Sequence, residues 1–267
     1  MQKYGLVGYP LSHSFSKRFF SDFFEKNKTD AAYLNFELID LSLLLSTIEE
    51  HPDLVGFNVT IPYKEAILPY LDHIDPQAAE IQAVNTVKIN RYGDKIDLTG
   101  YNTDLIGFRD SILPLLKQHH KKALVLGTGG ASKAVVQVLT NLSIPVQRVS
   151  REKKEGVSIG YNQLSSDQMA EYPIIVNTTP LGTYPKTDGF PEIPYECLSD
   201  KHLLYDLVYN PPVTKFLQQG ADRGASIKNG LEMLELQAMA AWRIWNVGLL
   251  DQETGGPGDY RTRRLRD

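Results

Sequence analysis

KALVLGTGGASKAVVQVL, residues 122–139, joins a buried-type apolar run to a helical pattern through a glycine cluster. KALVL (122–126) has the near-unbroken apolar character of a strand covered on both faces. KAVVQVLTNL (133–142) carries helical periodicity. Glycines in the turn between them, GTGGAS (127–132), let the backbone approach a pyrophosphate, and the free N–H groups opening the helix bind it. The match to G-x-G-x-x-G is imperfect, because Ser132 holds the third glycine's place. A tight turn with no ligand is the bland alternative. Context favours dinucleotide binding: a strand precedes, a helix follows, and PVQRV (145–149) supplies another strand about twenty residues on.

That next strand ends in Ser150 and Arg151, where a protein using NAD would usually carry an acid for the ribose 2′-hydroxyl. Arginine forks onto a 2′-phosphate, which points to NADP. Glu152 and Glu155 lie among the following lysines, Lys153 and Lys154, and short charge runs are most often solvated loop.

Outward from this centre, PIIVNTT (173–179) and HLLYDLVY (202–209) read as two further apolar strands. GLEMLELQAMAAWRIWNVG (230–248) reads as a long amphipathic helix, and the polar, Gly-rich stretch 251–267 adds no recognisable element. On the N-terminal side, KYGLVG, AAYLNFEL, DLVGFNVT and AVNTVKI have strand character. HSFSKRFFSDFFEKN and DLSLLLSTIEEH alternate with them as helices, and DLIGFRDSILPLLKQ (104–118) leads into the glycine turn. Strand–helix alternation predicts α/β layers with parallel strands. The expected plan is a substrate domain over residues 1–101, a Rossmann-like dinucleotide domain over 102–229, and a C-terminal helix, within 230–267, returning to the first.

Composition sets the class. The chain has 267 residues, 42% hydrophobic and 22% charged, as in ordinary globular proteins. A net charge of −4 gives no reason to expect nucleic acid or an anionic membrane surface as partner. The single cysteine, Cys197, excludes an intrachain disulfide framework and a Cys-based zinc site. The opening MQKYGLVGYP is polar and soon broken by Pro10, unlike a signal peptide, and no apolar run reaches membrane-spanning length, so a cytoplasmic protein is expected.

Several polar clusters interrupt the apolar pattern. In GFNVTIPYKE (56–65) a half-buried strand pattern ends at Pro62, and a helix starting there places Lys64 in its first turn. A lysine there opposes the helix dipole, so it is either an exposed accident or a group discouraged from carrying its charge. SHSFSK (12–17) offers Ser14 and Ser16 as donors to a carboxylate, against the commoner role of serine as a helix N-cap. His13 has no partner at metal or nucleophile spacing. In AVNTV (83–87) and GYNTD (100–104), Asn85 and Asp104 are singly explained as turn or cap formers. Jointly with Lys64 they form a hydrogen-bonding set suited to a polyhydroxylated ligand. VYNPPVTKF exposes Tyr209, and Gln237 on the last helix reads, alone, as a surface residue.

Taken together, GYPLSHSFS, GFNVTIPYKE, AVNTV, GYNTD, GTGGAS, NTTPLG, DLVYNP and NGLEMLELQA closely resemble the shikimate dehydrogenase family, in the family's order from Tyr9 to Ala238. The resemblance implies an NADP-linked, reversible reduction of 3-dehydroshikimate to shikimate, in the pathway to aromatic amino acids, by a monomer or homodimer needing no metal. It implies Lys64 and Asp104 as the catalytic pair, with either one taking the proton. Ser14 and Ser16 would hold the substrate carboxylate, helped by Tyr209, and Thr60, Asn85 and Gln237 the hydroxyls. Gly127, Gly129, Gly130 and Ala131 would seat the pyrophosphate, and Ser150, Arg151, Thr178, Leu207 and Gly230 would complete the cofactor site. Where the family commonly has Asn-Arg-Thr, this chain has Ser150-Arg151-Glu152, and Thr183 follows NTTPLG where methionine is frequent. The rival readings are an NAD-linked quinate/shikimate dehydrogenase and a non-catalytic sensor; the retained lysine and aspartate speak against the second.

Overall fold

The computed structural model describes residues 1–11, 15–151 and 159–246. The stretches around Ser14 and Glu152–Lys154 and the tail 251–267 therefore lie outside the described residues. In the N-terminal half, β1 (Gln2–Gly8), α1 (Phe15–Asn27), β2 (Ala31–Glu37), α2 (Leu44–Glu50) and β3 (Leu54–Val59) alternate as the sequence pattern predicts. There follow α3 (Tyr63–Ala66), β4 (His73–Ile74), α4 (Pro76–Ile81), β5 (Thr86–Tyr92) and β6 (Lys95–Tyr101). Their sheet has the order β2-β1-β3-β5-β6-β4.

β1 runs parallel to β2 and β3, but β5 is antiparallel to both β3 and β6. The first sheet is therefore mixed, which corrects the expectation of parallel strands there. The cause is local. Tyr92 pairs with Lys95 around a two-residue Gly93-Asp94 turn, and Gly93 takes φ +63°, which glycine adopts without strain. A hairpin needs no crossover helix, so the strand–helix rhythm stops there.

In the second half, α5 (Asp104–Ile112) leads to β7 (Ala123–Leu126), α6 (Gly130–Asn141), β8 (Val146–Ser150) and β9 (Ile159–Gly160). Next come α7 (Ser166–Glu171), β10 (Ile174–Asn177), β11 (Leu203–Asp206), α8 (Lys215–Ala221) and β12 (Ser226–Lys228). All pairings in this sheet are parallel, in the order β12-β11-β10-β7-β8-β9. Counted from β7, this is the doubly wound 3-2-1-4-5-6 order, whose ligand crevice lies beyond the carboxyl ends of the strands at the β7/β10 reversal. β7, β10 and β11 are buried throughout, as strands covered on both faces must be.

The last helix, α9 (Leu231–Asn246), belongs to both halves. Trp245 packs against Tyr4 and Phe20 and donates its indole N–H to Val87 O at 3.0 Å, closing one face of the first sheet. Met233, at the other end, joins the core formed by α5, α6 and β7. α5 and α9 approach closely because position 107 is glycine: a Cβ there would lie 2.5 Å from Met233 O. No described helix is long and apolar enough to cross a membrane.

Candidate active site

Three chain segments converge where the first sheet's strands end. The β3 strand ends at Val59, and the loop Thr60–Pro62 leads into α3, a helix of four residues with Lys64 second. The helix predicted over PYKEAILPY is thus cut to one turn. A separate 3-10 turn, Leu68–Tyr70, then follows with Pro69 inside it, because proline cannot donate the next α-helical bond. The second segment is the approach to β5, carrying Asn85, and the third is the start of α5, carrying Asp104. Neither Asn85 nor Asp104 acts as the local turn former that each suggests alone. Asn102 Oδ1 accepts from Leu105 N at 3.4 Å, which leaves the Asp104 carboxylate free for longer-range contacts.

Those contacts form a chain. Lys64 Nζ lies 2.6 Å from Asp104 Oδ2, with the two side chains 19% and 10% exposed. Asn85 Nδ2 donates to the other carboxylate oxygen, Oδ1, at 2.8 Å. Asn85 Oδ1 in turn accepts from Thr103 N at 2.7 Å, which fixes the amide's orientation. Thr103 and Gln237 meet at 3.3 Å, and Gln237 is buried, so its solitary surface reading is corrected: the residue sits on the cleft side of α9. A buried ion pair held this way is costly unless its remaining hydrogen-bonding capacity is met. Asn85 meets part of it, and the open side faces a cavity.

That cavity, about 450 Å³, is lined by Ser16, Thr60, Lys64, Asn85, Asp104, Tyr209 and Gln237 among others. Every substrate-site residue anticipated from the sequence therefore borders one space, except Ser14, which lies outside the described residues. Ser16 is the second residue of α1, inside the first turn rather than at the cap, and it hydrogen-bonds the buried Tyr33 hydroxyl. Burial pushes the Tyr33 hydroxyl far above the usual tyrosine range, so it stays a neutral donor and acceptor. Its proton goes to Asn58 Oδ1 at 2.7 Å. Tyr209 enters from the second half and packs edge-on against Phe15, ring centroids 5.3 Å apart. Phe15 and Asn58 also line the cavity, although the sequence assigned neither of them to the site.

A second cavity, about 830 Å³, shares Thr60, Ile61 and Lys64 with the first and extends over the carboxyl end of the parallel sheet. Gly127, Gly129, Gly130, Ala131, Ser150, Arg151 and Thr178 line it, as anticipated. Gly127 needs to be glycine twice over: φ is +110°, and a Cβ would fall 2.7 Å from Thr178 Oγ1. A Cβ on Gly129 or Gly130 would meet nothing within 4 Å, so these two keep the mouth of α6 clear for a bound group. Ser132 is fully buried and donates to Gly129 O at 2.6 Å, which explains how serine replaces the motif's third glycine. A pyrophosphate fits this cradle: bare backbone, a helix start, and open volume. Tyr161 also lines the cavity, next to Arg151; burial raises its hydroxyl to about 12. The pattern gave no signal for it, because the strand before it is only two residues long. Leu207 and Gly230 do not border either cavity. They pack on each other instead, and a Cβ on Gly230 would lie 2.1 Å from Leu207 O.

Residues 6–87 match the model of the shikimate dehydrogenase substrate-binding domain. A shikimate dehydrogenase (NADP(+)) of Caldicellulosiruptor saccharolyticus is 35% identical over 261 residues, covering 92% of each chain. The crystal structure of shikimate 5-dehydrogenase from Thermus thermophilus in complex with NADP(H) and shikimate is similar at a TM-score of 0.79 and 30% identity, covering 92% of this chain and 94% of that one. A quinate dehydrogenase from Corynebacterium glutamicum in complex with NAD shares the fold at a TM-score of 0.81 and 26% identity, covering 92% and 93%. With a mixed first sheet, a doubly wound parallel sheet, and a lysine–aspartate pair whose lysine borders both cavities, this chain belongs to the shikimate dehydrogenase family.

Proposed function

We propose that the chain catalyses the reversible NADPH-linked reduction of 3-dehydroshikimate to shikimate, with Lys64 and Asp104 moving the proton at the C3 oxygen. The observation that carries this reading is the 2.6 Å contact of Asp104 with Lys64, the lysine that borders both cavities. NADPH, when bound, supplies the hydride. The residues do the rest. Lys64 directs its ammonium at the substrate oxygen and Asp104 holds it there, so a proton can pass to or from that oxygen without crossing bulk water. Asn85, tied to Thr103, keeps one Asp104 oxygen occupied and leaves the other to the lysine. Thr60 and Gln237 face the ring hydroxyls. Ser16 and Tyr209, with Ser14, bind the carboxylate and so fix which ring carbon meets the nicotinamide.

On the nucleotide side, Gly127, Gly129, Gly130 and Ala131 seat the pyrophosphate, Ser150 and Arg151 the 2′-phosphate, and Thr178 the nicotinamide end. Leu207 and Gly230 act at one remove, by holding the β11 end against the start of α9. Residues 1–101, completed by 230–267, form the substrate domain, and 102–229 the NADP domain. The protein works in the cytoplasm, as a monomer or homodimer, on small molecules and without nucleic acid or membrane. The test is NADPH absorbance with shikimate or quinate as substrate and NADP or NAD as acceptor. Shikimate with NADP should give the highest kcat/KM. A preference for quinate with NAD would move the chain to the branch of its quinate dehydrogenase neighbour.

A further inference from the structure

Three successive residues of α3 are anchored in three directions. The Tyr63 hydroxyl donates to Leu38 O at 2.6 Å, and Lys64 O accepts from Val84 N at 2.8 Å, so both tie the helix to the first sheet's side of the cleft. Glu65 points the other way. Its Oε2 lies 2.9 Å from Lys133 Nζ, in the first turn of α6 and beside the glycines of the phosphate cradle. Lys64, whose ammonium meets Asp104, stands between these anchors. A four-residue helix has little rigidity of its own, so its neighbours set where the lysine points.

The placement of Lys133 runs against expectation. A cation near the start of a twelve-residue helix opposes the helix dipole, and Glu65 offsets that by supplying a carboxylate across the cleft. The two side chains are 27% and 54% exposed, and a pair so open to water adds little to stability. Glu65 also borders the nucleotide cavity, where an uncompensated carboxylate would repel a pyrophosphate. Fold stability therefore does not account for the contact, whereas alignment of the two halves does.

We infer that the Glu65–Lys133 ion pair is a positioning contact: it ties the nucleotide-binding helix α6 to the lysine-bearing helix α3 and so sets the distance between hydride donor and proton-transfer pair. The inference rests on the assignment of Lys64 and Asp104 as that pair. The set to measure is wild type, Glu65→Gln, Lys133→Met, the double variant and Lys64→Ala. Each is assayed for kcat and KM in NADP-linked shikimate oxidation, for NADP Kd by tryptophan fluorescence, and for Tm. Each single latch variant should lower kcat roughly threefold to tenfold, with KM for shikimate and Tm unmoved, the range expected for small misplacement of reacting groups. The double variant should be no slower than the worse single one, because either substitution breaks the same contact. The primary isotope effect from shikimate deuterated at C3 should rise in all three, since hydride transfer is what the loosened geometry slows. NADP should not bind more weakly to Glu65→Gln.

Losses that multiply in the double variant would overturn the inference, as would wild-type kcat in both singles. A weaker NADP Kd confined to Lys133→Met, with kcat intact, would make Lys133 a phosphate ligand and nothing more. Should Lys64→Ala itself keep its turnover, the dyad assignment falls and the inference with it. Inactive Lys64→Ala beside fully active latch variants would overturn the inference alone.

Discussion

At the scale of single residues, the site works by giving each polar group more than one constraint. Asn85 is bonded at both ends of its amide, and Asp104 at both oxygens, so neither can turn away without breaking a buried hydrogen bond. Arg151 is different: it is exposed and lines the nucleotide cavity from the solvent side. Arg151→Ala should lower the NADP-to-NAD ratio of kcat/KM by about tenfold or more, since a charge-assisted bond of about 1.5–3 kcal/mol is lost only with the phosphorylated cofactor. Kinetics with both nucleotides check this, and rising salt should narrow the ratio in wild type because the contact faces solvent. Ser16→Ala should raise KM for shikimate roughly tenfold by removing one carboxylate donor, with Tm little changed. A drop in Tm at constant KM would mean that the hydroxyl serves Tyr33 and the helix rather than the ligand.

At the scale of elements, the close contact of α5 with α9 links the Asp104 helix to the Gln237 helix. Gly107→Ala puts a methyl 2.5 Å from Met233 O, which is backbone and cannot rotate away. The helices must separate, so the variant should lose about 1–3 kcal/mol in urea denaturation and lose kcat with it. The end of β11 gives a pH prediction. Asp206 is buried and accepts from Thr214 Oγ1 at 2.5 Å, Asn177 Nδ2 at 2.9 Å and Val208 N at 3.0 Å. Burial outweighs those bonds and raises its carboxyl from 3.8 to about 6. The folded chain thus holds this proton more tightly than the unfolded one. The stability it contributes is complete below about pH 4, is lost as pH rises to about 6, and stays lost above that. Asp206→Asn removes the dependence, so its stability relative to wild type should rise by up to ~3 kcal/mol between pH 4 and pH 7, as urea midpoints at several pH values would show. The same elements show what sequence carries and what it loses. The more apolar strands, the glycine turn and α9 were legible because their apolar patterns are unbroken. Helix ends were not, wherever proline intervened: the pattern from Asp104 to Gln118 stops as an α-helix at Ile112, because Pro114 turns the next residues into a 3-10 segment. β6 escaped notice because Lys95–Tyr101 is polar on one face, with the alternation diluted by Gly100 and Thr99. Glu65–Lys133 left no signal at all, since the chain brings the two together only through the packing of its halves.

At the scale of the whole molecule, two sheets present their strand ends to one cleft, and Lys64, paired with Asp104 in the first cavity, borders both cavities. That arrangement explains why the site residues come from the whole length of the chain, from Ser16 to Gln237, and why each looked like a cap, a turn or a surface group when taken alone. The motif order tied them to one family before any geometry was known. Which of them touch, and that Leu207 and Gly230 touch each other rather than a cavity, needed the fold. The central claim is that Lys64 and Asp104 move the proton while the rest of the site binds and orients. It is tested most directly by single-turnover oxidation of shikimate by NADP in wild type, Lys64→Ala and Asp104→Asn, with NADP and shikimate Kd measured on the same proteins. The account predicts a rate lower by roughly 10²–10⁴ in both variants, the range of general acid–base catalysis, with NADP binding intact and shikimate binding changed far less than the rate. A wild-type rate in either variant, or a loss explained entirely by weaker shikimate binding, would contradict it.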